Sequence, residues 1–420
     1  MLALILPATA IAEEVYDFDV NGIYYKILEN GNEVSVTYKT YYYSSHTAHY
    51  ESDYTGDVVI PATVTFNGKT FPVTEIGDHA FYQRGSVTSI TIPVSITTIG
   101  WDAFSYCTGL TRVNISDIAA WCNLDCSDNP LRYAKHLFLN GEEIADLVIP
   151  EGITSIRNEA FSQCTGLTSV TIGNSVTSIG NNAFEDCIGL TDVFIGNSVT
   201  EIGWVAFDGC TSLKNVSLGN SVTIIWGSAF EGCTNLTSIE IPNSVTDIGG
   251  NAFSGCTSLS NVSLGNSLMT INGGAFKGCT ELKSIDIPNT VITVGGLAFN
   301  GCTGLTSVNI GNSVSSIGQE AFMNCPSIEM VTCKASTPPY LTGLNIFTTN
   351  VFNHAPLHVP TGSERAYMAH EGWGQFLTII GDADDDNPSG ESDYMKCDVN
   401  GDGEVNIADV NKVIDAILSH

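Results

Sequence analysis

Residues 179–190 read Ile-Gly-Asn-Asn-Ala-Phe-Glu-Asp-Cys-Ile-Gly-Leu, and the apolar positions of this stretch recur along most of the chain. Its cysteine is one of eight that stand 23 residues apart: Cys164, Cys187, Cys210, Cys233, Cys256, Cys279, Cys302 and Cys325. A fixed period of this length indicates a solenoid, in which each coil buries the apolar face of its neighbour. The frame continues back to Cys107, to Arg84 and to a degenerate coil at Gly141, which makes eleven coils.

Each coil holds two short extended segments and one tight turn. Val170-x-Ile172 alternates with the period of a strand, and Val176 to Ile179 forms a second extended piece. The Ala-Phe-x-x-Cys segment predicts a single helical or 3₁₀ turn. Successive strands should stack in parallel about 4.8 Å apart, so that the coils form a rod roughly 50 Å long.

One coil is longer than the others. The interval from Cys107 to Gly141 is 34 residues, which exceeds the period by 11. We expect the extra residues to lie at 116–131. For Cys122 and Cys126 in this stretch, a disulfide or a packed insert fits better than a zinc site, because no histidines stand at ligand spacing.

Aperiodic segments at both ends are expected to seal the stack. Asn-Gly turns at 21–22, 30–31 and 67–68 predict β-hairpins near the N-terminus. The predicted organisation is a signal-peptide remnant at 1–12, an N-terminal β cap at 13–75, repeats at 76–335, a C-terminal cap at 336–380, an acidic linker at 381–393 and a small α-helical tail at 394–420.

Composition and the first residues limit which partners and which cellular compartment are expected. A net charge of −30 argues against nucleic acid and anionic lipid as partners. No apolar run is long enough to predict a membrane-spanning helix. A short apolar stretch followed by Ala8, Ala10 and Ala12 is typical of a secretory signal peptide, which predicts export.

The tail contains oxygen side chains at the spacing of a calcium loop. Loop positions 1, 3, 5, 9 and 12 are Asp398, Asn400, Asp402, Asn406 and Asp409, with Gly403 at position 6 and the Glu404 carbonyl at position 7. Calcium takes about six to eight oxygen ligands, and this spacing supplies them on one loop. The sequence therefore predicts bound Ca²⁺.

Two resemblances suggest a function. Leu167-x-x-Val170-x-Ile172, followed by residues 179–190, resembles the BspA-like bacterial leucine-rich-repeat family over about 58–332. The resemblance implies a leucine-rich-repeat solenoid, secreted or at the cell surface, that binds proteins or cells. The calcium loop with Asp409 and the helix expected at 410–418 resembles half of a dockerin, which implies a cohesin-like partner.

Other residues that could carry chemistry have simpler explanations. The ladder cysteines lie in the apolar frame, so burial explains them better than redox or metal chemistry, although neighbouring thiols could approach disulfide distance. Packing of the cap explains Tyr41, Tyr42 and Tyr43 more simply than a sugar-stacking platform. Two histidine pairs are assigned to the surface: His46 with His49, and His354 with His358.

Two further sets are assigned to turns and to surface decoration. Asparagines at the 23-residue period are expected to bond neighbouring backbone: Asn174, Asn197, Asn220, Asn243, Asn266, Asn289 and Asn312. Acidic residues scattered one or two per coil are expected to decorate the surface: Glu185, Asp186, Glu201, Asp208, Glu231 and Asp247.

The sequence as a whole favours a non-catalytic binding or adhesion protein, secreted or at the cell surface, with a calcium-binding tail. Its repeat surface is expected to bind a protein ligand. The alternative is a non-catalytic component of a polysaccharide-degrading assembly that docks through a cohesin. No Ser, His and Asp set and no pair of facing carboxylates that breaks the repeat is visible, so an enzyme is not expected.

Overall fold

The fold is a β-solenoid, seen in a computed structural model that describes residues 13–44 and 47–382. Each turn contributes one strand to a long ladder and a shorter strand to a second, short ladder. Strand pairing runs through about 13 turns, more than the eleven coils predicted, because both caps add parallel rungs. The predicted signal peptide at 1–12 and the tail at 394–420 lie outside the described residues.

The long ladder is formed by the predicted Val-x-Ile strands, which stack in parallel as expected. Val170 pairs with Val193 and Ile172 with Ile195, so the register advances by one period per rung. Both positions are buried, and the residue between them faces outward. The strands are Gly56–Val59, Val87–Thr91, Arg112–Ile115, Leu137–Leu139, Asp146–Val148, Ser169–Ile172, Asp192–Ile195, Asn215–Ser217, Ser238–Glu240, Asn261–Ser263, Ser284–Asp286, Ser307–Ile310, Met330–Cys333, Leu357–Pro360 and Ile379–Asp382.

The short ladder is formed by the second extended piece of each coil. Its strands are mostly two residues long and pair in parallel, as Ile179 does with Ile202. They are Val34–Thr37, Lys69–Ile76, Thr98–Ile99, Asp125–Cys126, Ser155–Ile156, Ser178–Ile179, Glu201–Ile202, Ile224–Ile225, Asp247–Ile248, Thr270–Ile271, Thr293–Val294, Ser316–Ile317 and Tyr340–Leu341.

The Ala-Phe-x-x-Cys segments are paired tight turns and not the helical or 3₁₀ turn predicted. Asn182 and Asp186 have φ values of 55° and 54°, which a right-handed helix excludes. The Cys187 N–H still donates to the Phe184 carbonyl at 3.3 Å. The Phe184 N–H, however, donates to the Ala206 carbonyl of the next coil at 2.8 Å. Backbone bonds therefore join coils here instead of closing a helix.

A column of stacked phenylalanines fills the centre of the solenoid. Phe184 and Phe207 have ring centroids 5.1 Å apart and planes within 3° of each other. Each fully buried side chain of this size contributes about 1.5–3 kcal/mol, so stability accumulates along the axis. The column runs through Phe161, Phe184, Phe207, Phe230, Phe253, Phe276, Phe299, Phe322 and Phe347.

The repeat is interrupted, but the extra residues do not lie where the sequence predicts them. Val113 pairs with Leu137, so the coil that contains residues 116–131 is 24 residues long, close to the period. Two short helices, Ile118–Cys122 and Leu131–Ala134, replace its regular turns. The prediction that this stretch carries the insertion is therefore wrong.

The extra residues form a β-hairpin. Strands Leu137–Leu139 and Glu142–Glu143 pair antiparallel around Asn140 and Gly141, which have φ values of 53° and 94°. Two successive residues with positive φ make the tight turn that suits twisted strands. Gly141 therefore lies in a hairpin turn and not in the cysteine place of a degenerate coil, and the ladder resumes at Leu147.

The N-terminal cap extends the short ladder with antiparallel strands. Val34–Thr37 pairs in parallel with Lys69–Ile76, so the cap shares a sheet with the first coils. The hairpins predicted at the three Asn-Gly turns, 21–22, 30–31 and 67–68, are confirmed. The other strands of the cap are Glu13–Glu14, Phe18–Val20, Ile23–Ile27, Thr40–Ser44, Thr47–Glu51 and Thr63–Phe66.

The C-terminal cap covers the last coil with helices and with two further rungs of the long ladder. The aromatic rings of Tyr367 and Trp373 are buried, and the Trp373 indole N–H donates to the Pro339 carbonyl at 3.0 Å. Trp373, Phe352 and Phe376 pack on Phe347 and close the end of the phenylalanine column, and Tyr367 packs on Trp373. The helices are Thr349–His354, Glu364–Ala369 and the 3₁₀ helix Trp373–Gln375.

Candidate binding surface

The ladder cysteines are sealed inside the solenoid. Cys210 Sγ donates to the Phe184 carbonyl of the preceding coil at 3.2 Å, and Cys233 Sγ does the same to Phe207 at 3.2 Å. Burial raises the pKa of the Cys256 thiol to about 12. A buried, protonated thiol is a poor nucleophile and packs as a small apolar group. The predicted core role is confirmed, and every cysteine of the described residues is free.

Polar side chains complete the backbone ladder where the repeat is interrupted. Asp128 Oδ2 accepts the Phe104 N–H at 2.6 Å, in the place that an alanine carbonyl takes in a regular coil. On the other side, the Trp121 indole N–H donates to the Ala160 carbonyl at 2.9 Å. Sequence reasoning missed both roles, although a carboxylate and an amide, Asp128 and Asn129, inside an otherwise apolar frame were a readable signal.

The two cysteines of the interrupted coil are packed without a disulfide. Cys122 is buried, Cys126 is half-buried, and both are free. Burial raises the pKa of Cys122 to about 12 and that of Cys126 to about 11. The structure thus supports packing over a disulfide, although the coil that holds these cysteines carries no insertion.

The tyrosines of the cap do not form one platform. Successive rings of a strand face opposite sides. Tyr41 packs against Tyr50 with ring centroids 5.5 Å apart, and Tyr42 stacks on His49 at 4.6 Å. Tyr43 is 57% exposed. Cap packing therefore accounts for two of the three rings.

Of the two histidine pairs, the described one, His354 with His358, is not brought together as metal ligands. His46 lies outside the described residues. His354 Nδ1 bonds the Asn350 carbonyl at 2.5 Å, while His358 Nδ1 lies 2.7 Å from Asp382 Oδ1. Within 13–44 and 47–382, no three His, Cys, Asp or Glu side chains cluster in a way that could hold a metal ion.

Serine, aspartate and histidine meet near the first coils, but in an order that activates no nucleophile. Ser105 Oγ donates to Asp102 Oδ1 at 2.8 Å, and His79 Nε2 lies 3.9 Å from Asp102 Oδ2. His79 also stacks on Tyr50 with ring centroids 3.8 Å apart. In a hydrolytic triad the histidine accepts the serine proton, whereas here the aspartate does.

The periodic asparagines bond the neighbouring coil, as predicted. The Asn197 N–H donates to Asn174 Oδ1 at 2.7 Å, and the Asn220 N–H donates to Asn197 Oδ1 at 2.9 Å. The same bond joins Asn312 to Asn289 at 3.0 Å. These bonds hold the turns of successive coils in register.

Three of the acidic side chains expected to be scattered form a column instead. Glu185, Asp208 and Glu231 follow one another at the 23-residue period. Burial, together with the charges of Glu231, Glu185 and Asp186, raises the pKa of Asp208 to about 6. The expectation of scattered decoration is wrong for this column, whose spacing was readable in the sequence. Of the other three acids, Glu201 and Asp247 lie on the short ladder and Asp186 lies in a tight turn.

A varied surface is the outward row, defined as the residue between the two inward-facing positions of each long-ladder strand. Apolar, polar and acidic residues succeed one another along this row without a fixed order. Three of its members are large, apolar and at least half exposed: Val59 at 63%, Val148 at 64% and Phe194 at 50%. The row runs through Val59, Thr91, Asn114, Phe138, Val148, Thr171, Phe194, Ser217, Glu240, Ser263, Asp286, Asn309 and Thr332.

Comparison of the sequence with known protein families gives a match over the repeats described above. The family model described as the BspA type leucine rich repeat region matches residues 62–124, 133–259 and 224–339, in 6 copies. These ranges cover more than half of the chain. The chain belongs to the BspA type leucine-rich-repeat family. The buried frame and the two ladders described above correspond to the repeat of this family.

Several solved structures resemble the BspA type chain. A leucine rich cell surface protein from Faecalibacterium prausnitzii is 26% identical, with 78% of this chain and 94% of that one covered and a TM-score of 0.43. A leucine-rich repeat protein from Bacteroides ovatus is 25% identical over 76% and 94%, with a TM-score of 0.39. The pneumococcal vaccine antigen PcpA is 19% identical over 87% and 98%, with a TM-score of 0.44.

Three further observations concern the BspA type chain. No curated protein matches it significantly. In the part of the chain that the structure describes, no helix has the length and apolar character needed to cross a bilayer. The six predicted calcium-loop residues lie outside the described residues: Asp398, Asn400, Asp402, Glu404, Asn406 and Asp409.

Proposed function

We propose that this BspA type protein is a non-catalytic binding protein, secreted or held at the bacterial cell surface, whose outward row recognises a protein ligand. The observation that carries the proposal is the contrast between a constant interior and a varied exterior. Successive coils bury the same residue types, yet the outward row changes from Phe194 to Ser217 to Glu240 in three consecutive coils. Repeat proteins build extended binding surfaces in this way.

Apolar anchors stand in the N-terminal half of the outward row. Val148 and Phe194 are two rungs apart, and both are at least half exposed. Exposed apolar side chains held on a rigid scaffold are the groups that become buried at the centre of protein interfaces. Glu240 and Asp286 follow in the same row. The complementary ligand therefore carries apolar residues beside basic ones.

Affinity capture with the full chain tests recognition by this row. Proteins retained from bacterial and host extracts should be lost when Phe194→Ser and Val148→Ser are combined. The control is Thr171→Ala, because Thr171 lies between them in the same row and is also exposed. Retention of the same proteins by the double variant would contradict this proposal.

Export is the second part of the proposal. It is supported by the signal-peptide pattern that ends in Ala8, Ala10 and Ala12, and by the family to which the repeats belong. Fractionation of producing cells, with antibodies raised against the coils, should find the protein in the envelope or the medium. Recovery from the cytosol alone would refute export.

We also propose that the tail binds one Ca²⁺ through Asp398, Asn400, Asp402, Glu404, Asn406 and Asp409. The support is the spacing of these oxygen donors around Gly403. Calorimetric titration of the full chain should show one calcium site that Asp398→Ala with Asp402→Ala abolishes. Asp384→Ala removes a charge of the linker outside the loop and should leave the site intact. Equal binding by all three proteins would disprove this assignment.

A second candidate function rests on the same loop. Asp409 at position 12 and the helix expected at 410–418 resemble a dockerin, which suggests recruitment to a polysaccharide-degrading assembly through a cohesin. A pull-down with cohesin modules should then retain the full chain in calcium and release it in a chelator. Failure to retain the chain in calcium would leave the solenoid surface as its binding element.

A further inference from the structure

Two tryptophans in consecutive coils break the repeat on the side of the tight turns. Trp226 occupies the place of Gly203 one period earlier, and Trp204 occupies the place of Asn181. Their rings stack, with centroids 5.6 Å apart and planes 24° apart. Trp204 is 51% exposed although nothing in the interior requires it. The stack therefore presents a large aromatic surface to solvent beside the tight turns.

The two rings are held in place by the coils around them. The Trp204 backbone N–H donates to Asn181 Oδ1 at 2.9 Å, and the Trp226 indole N–H donates to Glu201 Oε2 at 3.2 Å. The Trp204 ring lies over Gly227, where a Cβ would come within 2.3 Å of Cζ3. Any other residue at 227 would displace the ring. The stack is thus preorganised, which lowers the entropic cost of binding a ligand.

Next to the rings the surface is bare backbone. Gly227, Gly250, Gly273 and Gly296 take the place of Trp204 in the next four coils. Gly273 is exposed, and Gly250 and Gly296 are half-buried. A Cβ on Gly250 would stand 3.3 Å from the Gly273 carbonyl oxygen. We call these four residues the glycine shelf, a strip along the axis in which Gly227 is buried beneath the Trp204 ring and the other three present backbone at the surface.

We propose that Trp204, Trp226 and the glycine shelf bind a neutral polysaccharide, laid along the solenoid axis with a pyranose ring on the exposed indole. The apolar face of a pyranose packs on an aromatic ring, and its hydroxyls donate to carbonyl and carboxylate oxygens. Glu201 offers a carboxylate acceptor. Each glycine carbonyl of the shelf accepts one N–H from the preceding coil and keeps its second lone pair for a hydroxyl. This surface is separate from the outward row, so the proposal stands apart from recognition of a protein.

The dimensions and charge of the site favour this class of ligand over others. Successive rungs are 5.2 Å apart at the rings of Phe207 and Phe230, comparable to the advance of one pyranose unit in an extended chain. A strip of glycines gives a protein partner no side chains to interlock with. The net charge of −30 repels nucleic acid and acidic polysaccharides.

A further tryptophan and a strained residue belong to the same surface. Trp101 takes the place of Trp204 in the frame several coils earlier and is 65% exposed. Val205, directly after Trp204, has a φ of 59°, a conformation that β-branched residues rarely adopt. The same positive φ recurs at this place in other coils, as at Asn182 and Ser228, so it belongs to the repeated turn that carries Trp204.

Affinity electrophoresis and tryptophan fluorescence titration of the full chain test the proposal. The probes are soluble mixed-linkage β-glucan, arabinoxylan and galactomannan, with polygalacturonate as an anionic comparator. At least one neutral polysaccharide should retard the protein and change its fluorescence. Trp204→Ala should weaken that binding about tenfold or more, since one stacked ring is lost. Trp204→Phe should retain part of it.

Gly250→Leu provides a variant that keeps both rings and obstructs the shelf, so it should also weaken binding. Phe194→Ala is the matched control, because it removes an exposed aromatic ring from the outward row and should leave polysaccharide binding unchanged. Thermal unfolding of each variant confirms that the fold is kept. The proposal is overturned if none of the three neutral polysaccharides binds, if polygalacturonate is preferred, or if Trp204→Ala binds as the wild type does. If Phe194 variants lose only a protein ligand, the polysaccharide proposal is unaffected.

Discussion

Backbone groups are hydrogen-bonded to the next coil in two different ways. One is found in the regular coils between Phe161 and Cys325, and the other in the interrupted coil between Ile115 and Leu147. In the regular coils, backbone groups bond to backbone groups of the next coil, as the Phe184 N–H does with the Ala206 carbonyl. In the interrupted coil, the side chain of Asp128 takes over that part. The first solution works for any sequence that keeps the buried frame. The second depends on particular side chains.

This difference determines which positions tolerate substitution without loss of stability and which do not. Regular coils tolerate any outward residue, because their cohesion lies in buried rings and backbone bonds. The interrupted coil instead buries a carboxylate whose pKa is raised by its own desolvation. Variation that serves binding is therefore expected on the regular coils, and variation at Asp128 is expected to cost stability.

The largest effect is expected from breaking the phenylalanine column. Phe230→Ala should lower the free energy of unfolding by about 3–5 kcal/mol, because it opens a cavity between two stacked neighbours. Phe194→Ala, the same substitution at a half-exposed position, should cost far less. Denaturant unfolding of both variants measures the difference, and similar losses would contradict the assignment of inner and outer positions.

Substitution of Asp128, the buried hydrogen-bond acceptor, tests how the interrupted coil is joined to the previous one. Asp128→Ala leaves the Phe104 N–H without a partner and should cost about 1–3 kcal/mol. Asp128→Asn keeps an oxygen in place and should be milder. If thermal unfolding shows equal losses for the two variants, the hydrogen bond is not what joins this coil to the previous one.

Regular coils also contain strain that can be relieved. Val205 has a φ of 59°, and the same place three coils later is taken by Gly274 with a φ of 67°. Val205→Gly should therefore stabilise the protein by about 1 kcal/mol, the left-handed penalty less the entropy that glycine adds to the unfolded chain. Gly274→Val should do the opposite and more strongly, because its Cβ would meet Asn251 Oδ1. Opposite signs in equilibrium unfolding are the expected result.

The smallest effect is expected from pH. Folding raises the pKa of Asp208 from 3.8 to about 6, so the native state binds more protons between these values and stability should rise as pH falls from 7 towards 5. Asp208→Asn should remove this rise. Hydrogen bonds from Thr191 and Asn215 lower the pKa of Asp192, whose contribution is instead lost on acidification. Unfolding measurements should therefore show the effect of Asp208→Asn between about pH 7 and 5, and an effect of opposite sign for Asp192→Asn only as the pH falls through the ordinary value of 3.8 and below.

The regular coils could be predicted almost residue by residue, and the interruption only in its existence. Burial at Ile179, Phe184 and Cys187 follows from period alone, because every coil repeats the same environment. Gly141 was misplaced because apolar neighbours matched the frame while the Asn-Gly turn, a strong hairpin signal, was overlooked. The stack of Trp204 on Trp226 needed coordinates, since the two lie one residue off the period.

The most direct test of the central claim is thiol labelling of the native protein with a small alkylating reagent, read by mass spectrometry at each cysteine. The claim is that a uniform interior is sealed from solvent while the exterior is free to bind. Cys164 through Cys325 in the ladder should stay unlabelled and reduced until the protein unfolds, and then react together. Rapid labelling of these thiols in native protein, or disulfides between them, would contradict it.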